Sequence, residues 1–200
     1  MCGEMWKFNL IFLSAFTIIQ SQYVSAQAKY SALSSFELIK VTDNDSVSFH
    51  LTSPEKPLTL FIFLSPECPL SKNYTLTLNN LFQQYDQQVQ FYGCVSGKGF
   101  SYDEIRSFLS TYKILFPFFV DENKKLTNYI SATVTPQVML LDKNDEMIYK
   151  GAIDDWVQDL GKQKLNVSKH YLQDAIEAFL HHKPVAIKET KAYGCFINDY

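Results

Sequence analysis

The sequence has little arginine and no run of lysine or arginine. Arg106 is the only arginine among 200 residues, and the formal net charge is −3. Proteins that bind nucleic acid through its phosphates concentrate positive charge on one face or along one helix. The sequence therefore argues against nucleic acid as a partner.

The sequence also lacks an apolar run long enough to cross a bilayer. The apolar stretch at residues 8–19 follows Lys7 and is shorter than the roughly 20 residues of a membrane-spanning helix. Ala26-Gln27-Ala28 then places small residues where a signal peptidase needs them. We interpret residues 1–28 as a cleaved signal peptide, with an uncleaved anchor as the alternative. Either way we expect export to a periplasm or medium, with the membrane involved only through this segment.

Cysteine is scarce, with four residues in the chain. Cys2 precedes the apolar run, so we expect it to be removed with the signal peptide, which leaves Cys68, Cys94 and Cys195. Disulfides persist in exported proteins, but an odd number of thiols cannot all pair within one chain. One thiol stays free, or pairing involves another molecule or alternative partners. This argues against a purely structural disulfide framework.

The stretch LTLFIFLSPECPLSKNYTLTLNNLFQQY, residues 58–85, organises the rest of the chain. Its apolar start predicts a buried strand, and a Ser-Pro-Glu-Cys-Pro elbow leads into a helix. Spacings of three and four residues place one apolar face on that helix, made of Leu70, Tyr74, Leu78, Leu81, Phe82 and Tyr85.

Cys68 lies at the elbow between this strand and this helix. The unpaired N–H groups of a helix start favour a thiolate over a thiol, so the position predicts a reactive cysteine. Glu67 opposes that ionisation unless it points to water or holds a proton. The alternative is a buried structural thiol, because unpaired cysteine is among the most buried residue types.

The remaining patterns predict an α/β domain over residues 34–183 and a tail, residues 184–200, that carries Cys195. The domain is expected to have a central mixed β-sheet with helices on both faces and an N-terminal β-hairpin. The first two long strands should be parallel, which puts Cys68 and Cys94 at the same edge of the sheet. The predicted elements are a hairpin around Asp43–Asp45, a strand Val89–Val95, a helix capped by Ser101 and Glu104, a strand Pro117–Val120, a helix Asp121–Ile130, two strands within Ala132–Trp156, and a helix capped by Ser168.

Two motifs in these elements, FIFLSPECPLS and VTPQVMLLD, resemble the thioredoxin-like superfamily. The chain is similar in particular to secreted redoxins related to the alkyl hydroperoxide reductase and thiol-specific antioxidant group, over roughly residues 36–180. In this resemblance Cys68 matches the nucleophilic cysteine, and Thr135-Pro136 matches the cis-proline beside it. A cis bond there would expose the backbone of Thr135 for pairing with an extended substrate. An ordinary proline at the start of a strand is the alternative.

The resemblance implies an exported thiol-disulfide oxidoreductase. Ser71 stands where thioredoxins carry a second cysteine, so a mixed disulfide on Cys68 would be resolved by Cys94, Cys195 or an external thiol. Cys94 is equally consistent with a core residue. The implied partners are a protein or small-molecule disulfide or thiol substrate and an external thiol reductant, and no cofactor is implied.

Two other function classes stay open. Glu67-Cys68-Pro69 resembles the peroxidatic loop of peroxiredoxins, which indicates a thiol-dependent hydroperoxide reductase, although we expect Arg106 on the exposed side of its helix. The missing cysteine at Ser71 also fits a non-catalytic binding module for a partner protein or a soft metal. Asp154 and Asp155 either end the last hairpin or relay a proton to Cys68.

Overall fold

The computed structural model describes residues 36–42, 46–50 and 55–197. The predicted signal peptide, residues 1–28, and the turn Asp43–Asp45 lie outside the described residues. Among the helices that the structure describes, none is long and apolar enough to span a membrane.

The described chain contains the strands and helices that the sequence predicts, in the predicted order, together with four short strands that it does not predict. The strands are β1 Glu37–Val41, β2 Ser46–His50, β3 Leu58–Phe63, β4 Val89–Ser96, β5 Phe118–Asp121, β6 Val134–Thr135, β7 Gln137–Asp142, β8 Met147–Gly151, β9 Val157–Asp159, β10 Lys162–Gln163 and β11 Cys195–Phe196. The helices are α1 Pro69–Tyr85, α2 Tyr102–Thr111, α3 Lys125–Ile130 and α4 Tyr171–Leu180.

A seven-stranded mixed sheet forms the centre, in the order β2-β1-β5-β4-β3-β7-β8. Strand β3 is parallel to β4, and β4 is parallel to β5. Strands β7 and β8 add an antiparallel edge next to β3, and the antiparallel pair β1 and β2 forms the other edge. The predicted mixed sheet, the parallel first pair and the N-terminal hairpin are thereby confirmed.

Helices cover both faces of this sheet, over two separate apolar clusters. The predicted stripe of α1 packs on the first face, where Tyr74, Leu78, Leu81 and Tyr85 are buried. Buried residues of α2 and α4 join the same cluster. Helix α3 contributes to the cluster on the opposite face. The all-buried β3 separates the two clusters, since consecutive side chains of a strand point to opposite faces.

The helix starts follow the predicted capping in one case and depart from it in another. Ser101 and Glu104 form the reciprocal capping box that begins α2. The predicted Ser168 cap of the last helix is wrong, because α4 begins after His170. The N–H and hydroxyl of Ser168 instead donate to the carboxylate of Asp155, at 2.8 and 2.6 Å.

The C-terminal tail, residues 184–197, follows the sheet although its sequence has no periodicity. The N–H of Lys150 in β8 donates to the Lys188 carbonyl at 2.9 Å, and the N–H of Thr190 donates to the Lys150 carbonyl at 3.0 Å. Further along, β11 pairs antiparallel with β6. The sheet edge therefore carries the tail toward the start of β7.

Candidate functional site

Cys68 lies where the sequence places it, between the end of β3 and the start of α1. It is the N-cap residue of α1, and Pro69 occupies the first turn. Its N–H donates to the Ser65 carbonyl, and its carbonyl accepts from Lys72, both at 3.1 Å. The residue is 1 % exposed, and it lines a pocket that opens to solvent.

The loop between β6 and β7 lies directly against this cysteine. The peptide bond between Thr135 and Pro136 is cis, as the resemblance implies. The Cys68 thiol donates to the Thr135 carbonyl oxygen at 3.1 Å. The strand-to-helix elbow and the late Thr-Pro motif therefore meet in one site.

Ser71 lies one helical turn after Cys68 and is fully buried. Its hydroxyl oxygen accepts the Ser65 N–H at 3.1 Å, which ties the elbow to the helix. Hydrogen bonding by the Ser71 backbone and hydroxyl also lowers the pKa of the Cys68 thiol. A small hydroxyl residue at this position thus holds the elbow and faces the thiol.

The tail brings Cys195 to the same place. In the pairing of β11 with β6, Cys195 stands opposite Thr135, whose carbonyl oxygen accepts the Cys68 thiol, and the two cysteines line one pocket. The preceding residue must be glycine, since a Cβ on Gly194 would lie 2.0 Å from the Thr135 carbonyl oxygen. Cys68 and Cys195 are both free thiols in this structure.

The two thiols affect each other's ionisation in opposite directions. Burial opposes ionisation of Cys68, but hydrogen bonds from Cys195 and Ser71 outweigh it, so the pKa of Cys68 lies below its usual value. Burial, together with the hydrogen bond and the charge of Cys68, raises the pKa of Cys195 to about 12. The pair therefore loses its first proton from Cys68, and Cys195 stays a donor.

Cys94 shares the sheet edge with Cys68 but not the site. It pairs in register with Phe63, the last residue of β3, as the parallel strands predict. Its side chain belongs to the cluster on the face opposite α1, with no exposed surface, and its sulfur is 3.8 Å from the Tyr92 carbonyl oxygen. Burial raises the pKa of Cys94 well above its usual value. The structure does not bring this thiol to Cys68.

A pocket of about 380 Å³ opens next to Cys68 and Cys195. It has apolar walls, charged groups of both signs and the glycine-containing loop that follows β4. Glu67 is exposed at its rim, where water screens the charge that opposes ionisation of Cys68. The other lining residues include Leu64, Val95, Lys98, Gly99, Phe100, Lys124 and Phe196.

The predicted proton relay is not assembled around Cys68. Asp154 accepts the Tyr74 hydroxyl at 2.6 Å and the Trp156 N–H at 2.9 Å. Asp155 binds Lys164 and Ser168. Both aspartates line a second pocket instead, beside the tail. Within the described part of the chain, no three histidine, cysteine or acidic side chains are grouped to hold a metal ion.

A comparison with protein families agrees with this geometry. A family model described as Redoxin matches residues 28–163, more than half of the chain. The chain belongs to the Redoxin family. No curated protein matched this redoxin in the comparison of whole sequences.

Solved structures similar to this redoxin share its thioredoxin-like fold. An uncharacterized conserved protein from Geobacillus kaustophilus has a TM-score of 0.69 at 22% identity, covering 82% of this chain and 89% of that one. A hypothetical protein from Sinorhizobium meliloti 1021 also has a TM-score of 0.69 at 22% identity, with coverages of 80% and 90%. A thioredoxin-like protein from Aeropyrum pernix has a TM-score of 0.54 at 14% identity, with coverages of 69% and 90%. At these identities the likeness establishes the fold.

Sequence reasoning missed the residues that dock the redoxin's tail. The hydroxyl of Thr190 accepts the Ala152 N–H at 3.0 Å and lies 2.5 Å from the Tyr149 hydroxyl. Gly194 provides the close approach to Thr135. The glycine next to a cysteine in an otherwise polar tail was the one sequence signal for a close contact at this point. The pattern of the tail does not indicate which strand it pairs with.

Proposed function

We propose that this protein is an exported thiol-disulfide oxidoreductase in which Cys68 is the nucleophile and Cys195 the resolving thiol. The observation that carries the proposal is the position of both cysteines at Thr135, beside the cis Thr135-Pro136 bond. The Cys68 thiol donates to the Thr135 carbonyl oxygen, and Cys195 stands opposite Thr135 in the pairing of β11 with β6. Disulfide exchange needs an accessible thiolate and a second thiol within reach of the first sulfur. Membership of the Redoxin family supports this chemistry.

The first step is attack of the Cys68 thiolate on a substrate disulfide. A bond forms between the Cys68 sulfur and one substrate sulfur, and the other substrate sulfur leaves as a thiolate. Hydrogen bonds from Cys195 and Ser71 lower the pKa of Cys68, so the attacking thiolate is present at lower pH than for an ordinary cysteine. Cys195 keeps its proton during this step because burial, hydrogen bonding to Cys68 and the charge on Cys68 together raise its pKa to about 12.

The second step uses the change of charge that the first step produces. Once the Cys68 sulfur is part of a mixed disulfide, it no longer carries the negative charge that opposed ionisation of Cys195. Cys195 then gives its proton to the substrate thiolate released in the first step or to water, and its thiolate attacks the Cys68 sulfur and expels the second substrate thiolate, which takes a proton from water. The product is an intramolecular disulfide between Cys68 and Cys195, which an external thiol reductant returns to two thiols.

The remaining site residues act on the position and charge of Cys68. Ser71 holds the elbow through Ser65 and donates to the thiolate. The Thr135 carbonyl oxygen, next to the cis bond to Pro136, accepts a hydrogen bond from the protonated Cys68 thiol. Cys94 takes no part in this mechanism, because the sheet separates its buried side chain from α1.

The test is to oxidise the purified protein with one equivalent of a small disulfide and to map its disulfides by mass spectrometry. We expect one bond, between the peptides that contain Cys68 and Cys195. In the Cys195→Ala variant we expect a mixed disulfide between Cys68 and the reagent. A bond between Cys68 and Cys94, or disulfides only between molecules, would contradict the proposal.

The alternatives receive less support from the site. Peroxiredoxin-type chemistry needs a cation beside the thiolate, whereas Arg106 lies on α2 and binds Asp103 at 2.7 Å. A soft-metal module needs a further ligand near Cys68 and Cys195. Export rests on residues 1–28, and N-terminal sequencing of the protein from its native compartment should find a start after Ala28.

A further inference from the structure

The tail occupies the strand edge that an extended substrate would use. Peptides bind to an exposed strand by adding a neighbouring strand about 4.8 Å away, through backbone hydrogen bonds. On β6 that place is taken by β11, with Cys195 opposite Thr135 and Phe196 opposite Val134. The N–H of Ile197 extends the pairing by donating to the Thr133 carbonyl at 2.9 Å.

The tail is fastened before it reaches this edge. Two backbone hydrogen bonds with Lys150 hold it along β8, and the Thr190 hydroxyl accepts the Ala152 N–H. Gly194 then lets the two backbones approach more closely than any side chain allows. These contacts fix β11 in one position relative to Cys68.

With β11 in place, the approach to Cys68 is a pocket and not an open groove. Cys68 is 1 % exposed, and the pocket beside it has a volume of about 380 Å³. This volume is near the lower end of the range of about 300–1,000 Å³ for small-molecule sites. Glu67, Lys98 and Lys124 line it, so groups of both charges lie at its walls, with Lys98 also 3.2 Å from the Glu122 carboxylate.

We propose that, while the tail is docked, Cys68 exchanges with low-molecular-weight disulfides through this pocket and excludes disulfides of protein chains. The inference deepens the proposed function and depends on it. A small disulfide such as cystine enters the pocket and forms a mixed disulfide with Cys68, releasing one cysteine. Cys195 then resolves that intermediate and releases the second cysteine, so that one disulfide is reduced and the Cys68–Cys195 disulfide is formed. A protein disulfide needs the strand edge that β11 fills.

The experiment compares two disulfides in single turnover with the reduced protein. Cystine represents the small substrate and insulin the protein substrate. The ratio of the insulin rate to the cystine rate is divided by the same ratio for free N-acetylcysteine, which removes their intrinsic reactivities. For the wild-type protein we expect this normalised ratio to be at least tenfold below one.

The Gly194→Val variant tests the role of the tail while keeping both thiols. Its side chain would meet the Thr135 carbonyl, so β11 cannot dock. We expect the normalised ratio to rise at least tenfold, through a faster reaction with insulin. The matched control is Ala186→Val, a similar enlargement at an exposed tail position, which should keep the wild-type ratio. Thr190→Val, which removes the Ala152 hydrogen bond, is a second way to loosen the tail if Gly194→Val does not fold.

The outcomes separate this inference from the proposed function. Two outcomes would overturn this inference without affecting the proposed function. One is a normalised ratio near one for the wild-type protein. The other is a ratio that stays low in a variant whose Cys195 is alkylated faster, which shows that its tail has been released. Retention of full cystine exchange by Cys68→Ser would instead overturn the proposed function. A low wild-type ratio that rises in the loosened variants supports both.

Discussion

Cys68 and Cys94 lie at the same edge of two adjacent parallel strands, and both are buried, yet their pKa values shift in opposite directions. Around Cys68, hydrogen bonding by the thiol of Cys195 and by the backbone and hydroxyl of Ser71 lowers the pKa of the thiol. Around Cys94 the cluster is mainly aromatic and aliphatic. The Cys94 sulfur has only a weak contact of 3.8 Å with the Tyr92 carbonyl oxygen among the described hydrogen bonds. The comparison shows that the groups facing a thiol decide its reactivity, because burial alone raises the pKa of both.

The largest expected effect distinguishes the two cysteines directly. Cys68→Ser should lower the rate of disulfide exchange by at least about 100-fold, because a serine hydroxyl is a much weaker nucleophile than a thiolate. Cys94→Ala should retain the wild-type rate, because that side chain lies on the other face of the sheet. Initial rates with a small reporter disulfide measure both. Loss of activity in Cys94→Ala, with activity retained in Cys68→Ser, would contradict the assignment of Cys68 as the nucleophile.

The next effect concerns Cys195, whose thiol distinguishes the surroundings of Cys68 from those of Cys94. In Cys195→Ala the mixed disulfide on Cys68 should persist at least about tenfold longer than in the wild type, because resolution loses its intramolecular thiol. Intact mass recorded over time after mixing with one equivalent of disulfide measures its lifetime. An unchanged lifetime would show that an external thiol resolves the intermediate.

The pH dependence should differ between the two thiols in a defined direction. The thiolate fraction rises with pH, so alkylation of Cys68 should reach half its maximal rate below the usual pKa of 9.0 and fall as the pH drops further. Cys195→Ala removes a hydrogen-bond donor, so the Cys68 profile should move to higher pH. Cys94 should react only when the protein unfolds, because burial raises its pKa. Alkylation rates from mass spectrometry across a pH series test all three statements, and equal profiles for Cys68 and Cys94 would refute them.

The smallest effect concerns the hydroxyl that supports Cys68. Ser71→Ala leaves the Ser65 N–H without its acceptor, so the free energy of unfolding should fall by about 1–3 kcal/mol. The Cys68 profile should also move to higher pH, but less than in Cys195→Ala, because the hydrogen bond from the Ser71 backbone remains. Denaturant unfolding measures the stability, with Ser110→Ala on the exposed side of α2 as control. Equal losses in both variants would mean that the Ser65 contact contributes nothing.

Local patterns predicted the part of the site that lies on regular elements. The apolar stripe of α1 and the capping residues of α2 have partners a few residues away, so the sequence contains the whole interaction. Thr135 and Pro136 were found through a motif. The position of Cys68 was predicted both from the local pattern and from the motif, because Cys68 lies in an elbow between an apolar strand and a helix with an apolar stripe.

The face occupied by Cys94 could not be predicted in the same way. Strand β4 is buried on both sides, so its sequence has no alternation of polar and apolar residues that would reveal which way each side chain points. The Ser168 cap failed for a related reason. Its acceptor, Asp155, lies 13 residues earlier and competes with the helix start.

The tail depends on partners that are still more distant. Its contacts are backbone hydrogen bonds to β8 and β6, which any sequence of suitable shape can form. Only Thr190 and Gly194 have side-chain requirements, and neither requirement is visible without the facing strand. The site was therefore half predictable, with its nucleophile in a recognisable motif and its second thiol outside any motif.

The pairing of β11 with β6 also makes the spacing within the tail a functional property. Thr190 fastens one point of the chain, and Cys195 must arrive with its sulfur toward Cys68. Because alternate residues of a strand face opposite ways, adding or removing one residue between these two points would turn the sulfur outward. The number of residues in this short connection would then matter as well as the glycine at its end, and under the proposed mechanism a change in length would prevent resolution by Cys195 while leaving both thiols in the sequence.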